Sequence, residues 1–359
     1  MKSKLFLSLI ALGSISLSGC YLDLGFLKIG TKVEEEGEEE QKPSGEEQGE
    51  KEGEGKEGEK ETPTDPIEDY YKNYNLKLNG GRLEQELQKM CWDKHTGWVT
   101  YSQIQSYYAT TSDHLSVDAI KEGSKVNQYF YTGKEATGYV SGSNREHVWP
   151  CANSGQLWTH TKPANGGFSP HYVDHSYYVG GGSDLFHVRP CEGNVNTARG
   201  NSRFVSFDHP EYIARKDEIV EYGEENGKWT IKLLGATPVG TGYEFASQSE
   251  PDDNMKGDIA RLILYLYIHY NDRGITPDKE VVKGSSTKYT YKYKDMCGSL
   301  PLTNIMGYND EERCQEVLME WNELDPVSSI EQLRNNTVQK IQGNRNPFVD
   351  YPDLVNKLF

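Results

Sequence analysis

Two short clusters carry side chains able to do hydrolytic chemistry. The first reads Asn144-Arg145-Glu146-His147-Val148-Trp149-Pro150. The second reads Ser183-Asp184-Leu185-Phe186-His187-Val188-Arg189-Pro190 and runs on through Gly193-Asn194-Val195-Asn196-Thr197-Ala198-Arg199-Gly200-Asn201. An imidazole titrates close to neutrality and takes a proton from water with little tuning. One carboxylate and one carboxamide oxygen suit a hard divalent cation that keeps most of its waters. A guanidinium can clamp phosphate oxygens. Glu146 and His147 are neighbours, and neighbours on a strand point to opposite faces. They serve one centre only if the strand is bulged there or ends at a loop edge, which favours function over packing.

Each residue also has a plainer role. Glu146-His147 reads as a surface pair, and Asn196 as a helix N-cap, since Asn caps well. His187 precedes the apolar Val188 and reads as a hydrogen-bonded interior histidine. Asp184 reads as the anchor of a loop, Arg189 as a structural ion-pair partner, and Trp149 as core. His160, His171 and His175 form a loose group, and the His171–His175 spacing suits zinc only on a helix. Pro170, Gly166 and Gly167 argue against a helix there. Arg199, Arg203, Arg334, Lys340 and Arg345 could line a phosphate track, and the last three fit a solvated face as well.

The elements that must position these clusters are unevenly legible. Residues 66–109 read as helical, with Leu83, Leu87, Met90 and Cys91 at helix-like spacing. Residues 126–133 read as a strand ending at a glycine turn. The stretch 141–204 is loop-rich, and 229–247 gives one or two short strands. The clearest helix is 257–271, where Ile259, Leu262, Ile263, Leu266, Tyr267 and Tyr270 form a core-facing stripe. Further helices are expected over 310–323 and 328–341, followed by an irregular tail.

The chain has 359 residues and a formal net charge of −17. Residues 34–61 hold fourteen Glu and four Lys and almost nothing apolar, so they cannot bury a core and read as disordered. No apolar run after residue 19 approaches a membrane span. No long repeat supports a solenoid. An acidic domain excludes a protein that coats DNA by charge alone. Lys2 and Lys4 precede an apolar run from Leu5 to Leu17, a secretory signal layout. Leu17-Ser18-Gly19-Cys20 resembles the bacterial lipoprotein processing site. Residues 1–19 are then the signal, Cys20 carries acyl chains that anchor the chain to the cell envelope, and residues 20–65 are an acidic tether spanning roughly 35–40 Å. Residues 66–359 are left as the catalytic domain. Five cysteines remain after Cys20, an odd number, and a Cys151–Cys191 pair is plausible if the two motifs converge.

The motifs NREHVWP, DLFHVRP, VNTARGN, GDIARLILY and WNELDPV followed by RNNTVQKIQGNRNPFVDYP stand in that order across most of residues 82–352. In this they resemble the bacterial endonuclease I family, within the His-Me finger (ββα-metal) nucleases. The resemblance implies an α+β fold, a ββα-metal core embedded in a mostly helical single domain with long loops. It implies His147 as general base, Glu146 and Asn196 as protein ligands of one Mg²⁺ ion (Ca²⁺ or Mn²⁺ as substitutes), and Arg189 as clamp on the scissile phosphate. Asn201 is the fallback ligand. His187, Asp184, Arg199 and Arg203 are supporting or substrate-contacting positions. Phe186 stands where relatives often have His. The implied activity is Mg²⁺-dependent cleavage of DNA, and of RNA as a further substrate, with little sequence preference and 5′-phosphate products. Activity is expected to rise between about pH 5.5 and 7.5 as an imidazole loses its proton. The expected partner is nucleic acid, held by its backbone. Membrane contact is by the lipid anchor alone, no protein partner is inferred, and the chain is expected to be a monomer. Two rivals are a surface lipoprotein that keeps the fold as a non-catalytic binding module, and a zinc hydrolase built on His160, His171 and His175.

Overall fold

The computed structural model describes residues 65–111, 126–137, 143–154, 179–223, 230–239, 242–244, 246–274, 280–283 and 289–359. The signal segment, Cys20, the acidic tether and the His160, His171 and His175 group lie outside those residues. The described residues fall into two compact units, divided between Lys72 and Asn73. In the first, Pro66–Tyr71 (α1) starts with Pro at its first position, and the Asp65 side chain accepts from the Ile67 N–H.

Among the described residues of the second unit the α-helices are Gly80–Lys94 (α2), Ile104–Thr111 (α3), Gly193–Arg199 (α4), Pro210–Ile213 (α5), Asp253–Tyr270 (α6), Glu311–Leu324 (α7), Ser329–Gln342 (α8), Pro347–Asp350 (α9) and Val355–Leu358 (α10). The single helical run expected over 66–109 is therefore broken. Asn75 Oδ1 accepts from the Lys77 N–H at 3.1 Å, a local bond that competes with helix. After α2 the N–H groups of Thr96 and Gly97 both donate to the Gln342 carbonyl oxygen, which pulls the chain out of helical geometry.

α6 is the central element. Ile259, Leu262, Ile263, Leu266 and Tyr270 are buried as the stripe requires, but so are Ala260, Arg261, Leu264, Tyr265, Ile268 and His269. Such a helix is enclosed on nearly all sides rather than laid on a surface. Its charged residues are paired inside. Arg261 binds both carboxylate oxygens of Glu331 at 2.8 and 2.5 Å, and Lys256 sits 2.6 Å from Glu250. α7 and α8 start where the sequence places them, because Asp310 and Ser328 cap them, the latter in a reciprocal box with Glu331.

The expected strand over 126–133 is a hairpin, Val126–Gln128 (β1) with Glu135–Thr137 (β2), turning through left-handed Tyr131 and Gly133. Ser143–His147 (β3) pairs antiparallel with Val188–Glu192 (β4). Arg203–Phe204 (β5), Ile219–Gly223 (β6) and Thr230–Leu234 (β7) follow, then the hairpin of Thr237–Val239 (β8) and Gly242–Glu244 (β9), then Gln248–Pro251 (β10). One four-stranded sheet has the order β5-β10-β7-β6, with β10 parallel to β5. Glu280–Lys283 (β11) and Tyr289–Lys292 (β12) form a last hairpin. The stretch 229–247 thus holds three strands, not one or two. The tail expected to be irregular ends in α9 and α10. Asn346 caps α9, while its Nδ2 donates to the Arg261 carbonyl oxygen on α6. Side-chain amides rather than periodic apolar residues fix this segment, so no pattern announces it.

The whole is an α+β fold in which β3, β4 and α4 form one contiguous ββα unit. The two motifs converge, yet Cys151 and Cys191 are not disulfide-bonded. Cys151 is exposed, while Cys191 Sγ lies buried, 3.7 Å from the Phe130 carbonyl oxygen.

Candidate active site

The β3–β4 register sets Glu146 opposite Arg189 and His147 opposite Val188. The ladder runs without a bulge, and His147 is the last residue of β3. The two neighbours therefore meet different partners, as alternation along a strand requires. Glu146 is 1 % exposed. Tyr131 OH donates to its Oε1 at 2.6 Å, and Arg199 Nη1 lies 3.3 Å from the same oxygen. Burial pushes the Glu146 carboxyl upward, while Arg199 and the Tyr131 bond pull it back. Both contacts fall on Oε1, and among the described residues no hydrogen bond engages Oε2.

His147 is 2 % exposed. Its Nε2 lies 3.0 Å from the Gly182 carbonyl oxygen, so Nε2 carries the proton and the lone pair resides on Nδ1. The ring stacks on Tyr101, with centroids 5.6 Å apart, and meets His187 edge-on at 5.4 Å. Burial first, and His187 second, hold its pKa well below the usual imidazole value. That direction bears on the pH expectation. If His147 is the base, it moves the acid limb of activity below the expected range.

The chain leaving His147 is clamped from two sides. His187 Nδ1–H donates to the Gly181 carbonyl oxygen at 2.7 Å, and its Nε2 accepts from the Trp149 N–H at 3.0 Å. Burial lowers its pKa to about 4. With both nitrogens engaged, His187 has the interior role that its sequence context suggests. Arg199 is fully buried, donates to the Val148 carbonyl oxygen at 2.7 Å, and lies over the Phe204 ring. It braces Glu146 and the strand exit and cannot lie on a surface track. Asn196 stands one helical turn before Arg199 on α4 and is 5 % exposed. Glu192, not Asn196, holds the N-cap position of α4. Among the described residues the buried Asn196 Nδ2 has no hydrogen-bond partner.

The remaining sites separate. Arg189 is 6 % exposed, stacked over the Phe130 ring at 4.3 Å. Asp184 accepts from the Phe186 N–H, Gln342 Nε2 and the hydroxyls of Tyr265 and Tyr270, which makes it the anchor of its loop. Asn201 and the exposed Arg203 line a pocket of about 520 Å³ with Tyr212 and Tyr308. Of the other track candidates, Arg334 and Arg345 are not on a solvated face. Both are buried, the first donating to the Leu185 carbonyl oxygen and the second paired with Asp350. Lys340 is exposed.

Sequence reasoning missed four residues. Arg145 shares His147's face of β3, lies over the Tyr101 ring at 4.0 Å and donates to the Tyr101 carbonyl oxygen at 3.1 Å. It stood in plain view inside the first motif. Tyr131 was invisible, since nothing local links it to Glu146. Its φ of 74° is the one positive value among the described non-glycine residues. Bulky residues rarely adopt that conformation, and such strain persists where the surroundings over-determine it, often at functional sites. His95 and His269 were also missed. Together with Asp184 they offer ligand atoms all within 4.8 Å of one another, a group able to hold a metal ion.

The Endonuclease I family matches residues 79–353, and the chain belongs to that family. The protein is accordingly a nuclease, a phosphodiester hydrolase. An extracellular ribonuclease of Bacillus amyloliquefaciens is 27 % identical over 302 residues, covering 83 % of this chain and 80 % of the relative. An extracellular ribonuclease of Bacillus subtilis (strain 168) is 30 % identical over 223 residues, covering 62 % of this chain and 56 % of the relative.

Proposed function

We propose that the protein is a Mg²⁺-dependent, largely sequence-nonspecific endonuclease that hydrolyses the phosphodiester backbone of DNA and RNA to 5′-phosphate products. The observation that carries this is the ββα unit, which sets an imidazole, a carboxylate and a carboxamide, whose Nδ2 lacks a partner among the described residues, on adjoining elements. The donor set fits a hard divalent ion. Glu146 Oε2 and the Asn196 carboxamide are the groups that would hold it, one carboxylate and one amide oxygen. Bound there, such an ion offsets negative charge on the phosphate and the leaving oxygen.

The protein's own residues supply the rest. His147 Nδ1 takes the proton from the attacking water, and the Nε2–H bond to Gly182 keeps the ring in that tautomer. Tyr131 and Arg199 fix the Glu146 carboxylate from its other oxygen. Arg189 is the clamp that the family pattern implies, with Arg145 as a second cation beside His147. Because water is the nucleophile, no 2′-hydroxyl is needed, and DNA and RNA stand as equivalent backbones. The names of the two relatives support RNA as a substrate and secretion as the route. Secretion agrees with a signal over 1–19, a lipidated Cys20, a tether over 20–65 and a catalytic domain over 66–359.

The test compares wild type with His147→Ala on plasmid DNA and on single-stranded RNA, with EDTA and then with excess Mg²⁺. Cleavage of both substrates by wild type, lost with EDTA, restored by Mg²⁺ and absent in the folded variant, is the expected result. Wild-type rates from His147→Ala would remove His147 as the base, and EDTA-resistant cleavage would remove the metal.

A further inference from the structure

A second cluster lies in the core under the loop that carries Asp184. His95 follows α2, Asp184 precedes β4, and His269 sits in the last turn of α6. All three are buried. Among the described residues Nε2 of His269 is buried without a hydrogen-bond partner, and neither ring nitrogen of His95 makes a hydrogen bond of good geometry, although the Gly97 backbone acts on that ring. Buried polar atoms are nearly always satisfied, and each orphan costs about 1–3 kcal/mol, so such nitrogens grouped in one cluster point to an occupant.

Charge decides between water and a cation. The Asp184 carboxylate is enclosed, and among the described residues no Lys or Arg side chain pairs with it. Its four donors, an amide N–H, a carboxamide and two phenols, are all neutral. Buried charges are ordinarily paired or coordinate metals. A water would satisfy lone pairs but leave the negative charge unbalanced. A cation does both. The donor set narrows the class. Two imidazoles with one carboxylate suit zinc and its d-block neighbours, whereas Mg²⁺ and Ca²⁺ take oxygen.

The surroundings orient the ligands. His269 Nδ1 lies 2.8 Å from the Tyr265 hydroxyl, which also receives Asn344 Nδ2 at 2.6 Å and donates to Asp184. Partners of this kind fix the orientation of metal-binding histidines. The His95 ring is stacked on Trp98 with centroids 3.7 Å apart, and Trp92 meets His269 edge-on. Ligands at about 2.0–2.1 Å in a tetrahedral shell stand roughly 3.4 Å apart. The side chains therefore draw in by somewhat over an ångström from their present spacing.

We propose that His95, Asp184 and His269 bind one zinc-class divalent ion, which ties three segments distant in sequence and shares no ligand with the cleavage centre. This does not depend on the assignment of Glu146, His147 or Asn196.

The experiment uses the full chain without a polyhistidine tag, expressed once in zinc-supplemented and once in cobalt-supplemented minimal medium. Each preparation is exchanged into Mg²⁺ buffer with mild chelation to strip exchangeable ions. Mass spectrometry is expected to find about one zinc or cobalt ion per chain, and the cobalt form to show the visible d–d bands of a tetrahedral site. X-ray absorption should show imidazole scattering from two histidines. His95→Gln and His269→Gln should each lower retained metal at least tenfold. Wild type that retains no such ion, or an ion in an oxygen-only shell, would overturn the proposal, leaving water in the core. Undiminished metal in either folded variant would overturn it equally. Should a variant fail to fold, the wild-type content and scattering decide alone. Cleavage measured in parallel separates the two sites, because the Mg²⁺-dependent reaction can fail while this ion is present, and the reverse.

Discussion

Tyr131 shows how much of the proposed catalytic centre can rest on one side chain outside the motifs. Its strained backbone delivers a hydroxyl to Glu146 Oε1 at 2.6 Å, beside Arg199. Outer partners of this kind are worth about ten- to a hundredfold in metal affinity or activity. Tyr131→Phe keeps the ring and removes only the donor. It should raise the Mg²⁺ concentration needed for half-maximal cleavage by about tenfold while leaving the melting temperature within a few degrees. An unchanged Mg²⁺ requirement would show that the hydroxyl does not position the carboxylate. A second expectation concerns His147. A base whose folded pKa is depressed stays in its proton-accepting form to lower pH, so kcat/KM should be flat from neutrality down through the ordinary imidazole range and fall only in more acid buffer. A half-maximal point near or above about pH 6.5, the unperturbed value, would contradict the burial that the ring shows.

At the scale of elements, α6 and α7 pack so closely that one hydrogen atom decides the contact. A Cβ on Gly257 would lie 1.9 Å from the Asp325 carbonyl oxygen and 2.7 Å from the Arg261 guanidinium. The Gly257 N–H also donates to Asp325 Oδ2 at 2.9 Å, which fixes the end of α7 against the start of α6. Backbone cannot yield as a side-chain tip can, and overpacking of this kind costs about 1–3 kcal/mol. Gly257→Ala should therefore lower stability by that amount in urea titrations. An exposed glycine such as Gly81, with open space around it, should not. A Gly257→Ala protein as stable as wild type would mean that the helices separate without cost. The sequence shows a glycine before an apolar stripe, but not the neighbour that forbids a side chain.

At the scale of the molecule, the proposed reading gives chemistry to the nuclease unit and placement to the acidic N-terminal run. No described helix is long and apolar enough to cross a membrane. The proposed attachment falls instead on Cys20, whose acyl chains would hold the envelope. Cys20→Ser should release nuclease activity from the membrane fraction into the soluble fraction with its specific activity unchanged. Retention in the membrane fraction would place the anchor elsewhere. Raising salt should weaken binding by the folded unit, because it screens the attraction between phosphodiesters and its few basic groups.

Sequence alone determined what short-range physics can carry. The helices at 311–324 and 329–342 start at side-chain caps within three residues of their first turn, and α6 follows an apolar period, so each is legible locally. The ordered motifs around Glu146, His147 and Asn196 made the family legible because each is a short run of neighbouring residues. Tertiary structure alone decided that Arg199 braces Glu146 rather than greeting phosphate, that Tyr131 completes the same carboxylate, and that His95 and His269 meet across Asp184. Those contacts join residues far apart along the chain, where no spacing rule operates, and only burial reveals which charges and lone pairs must find one another.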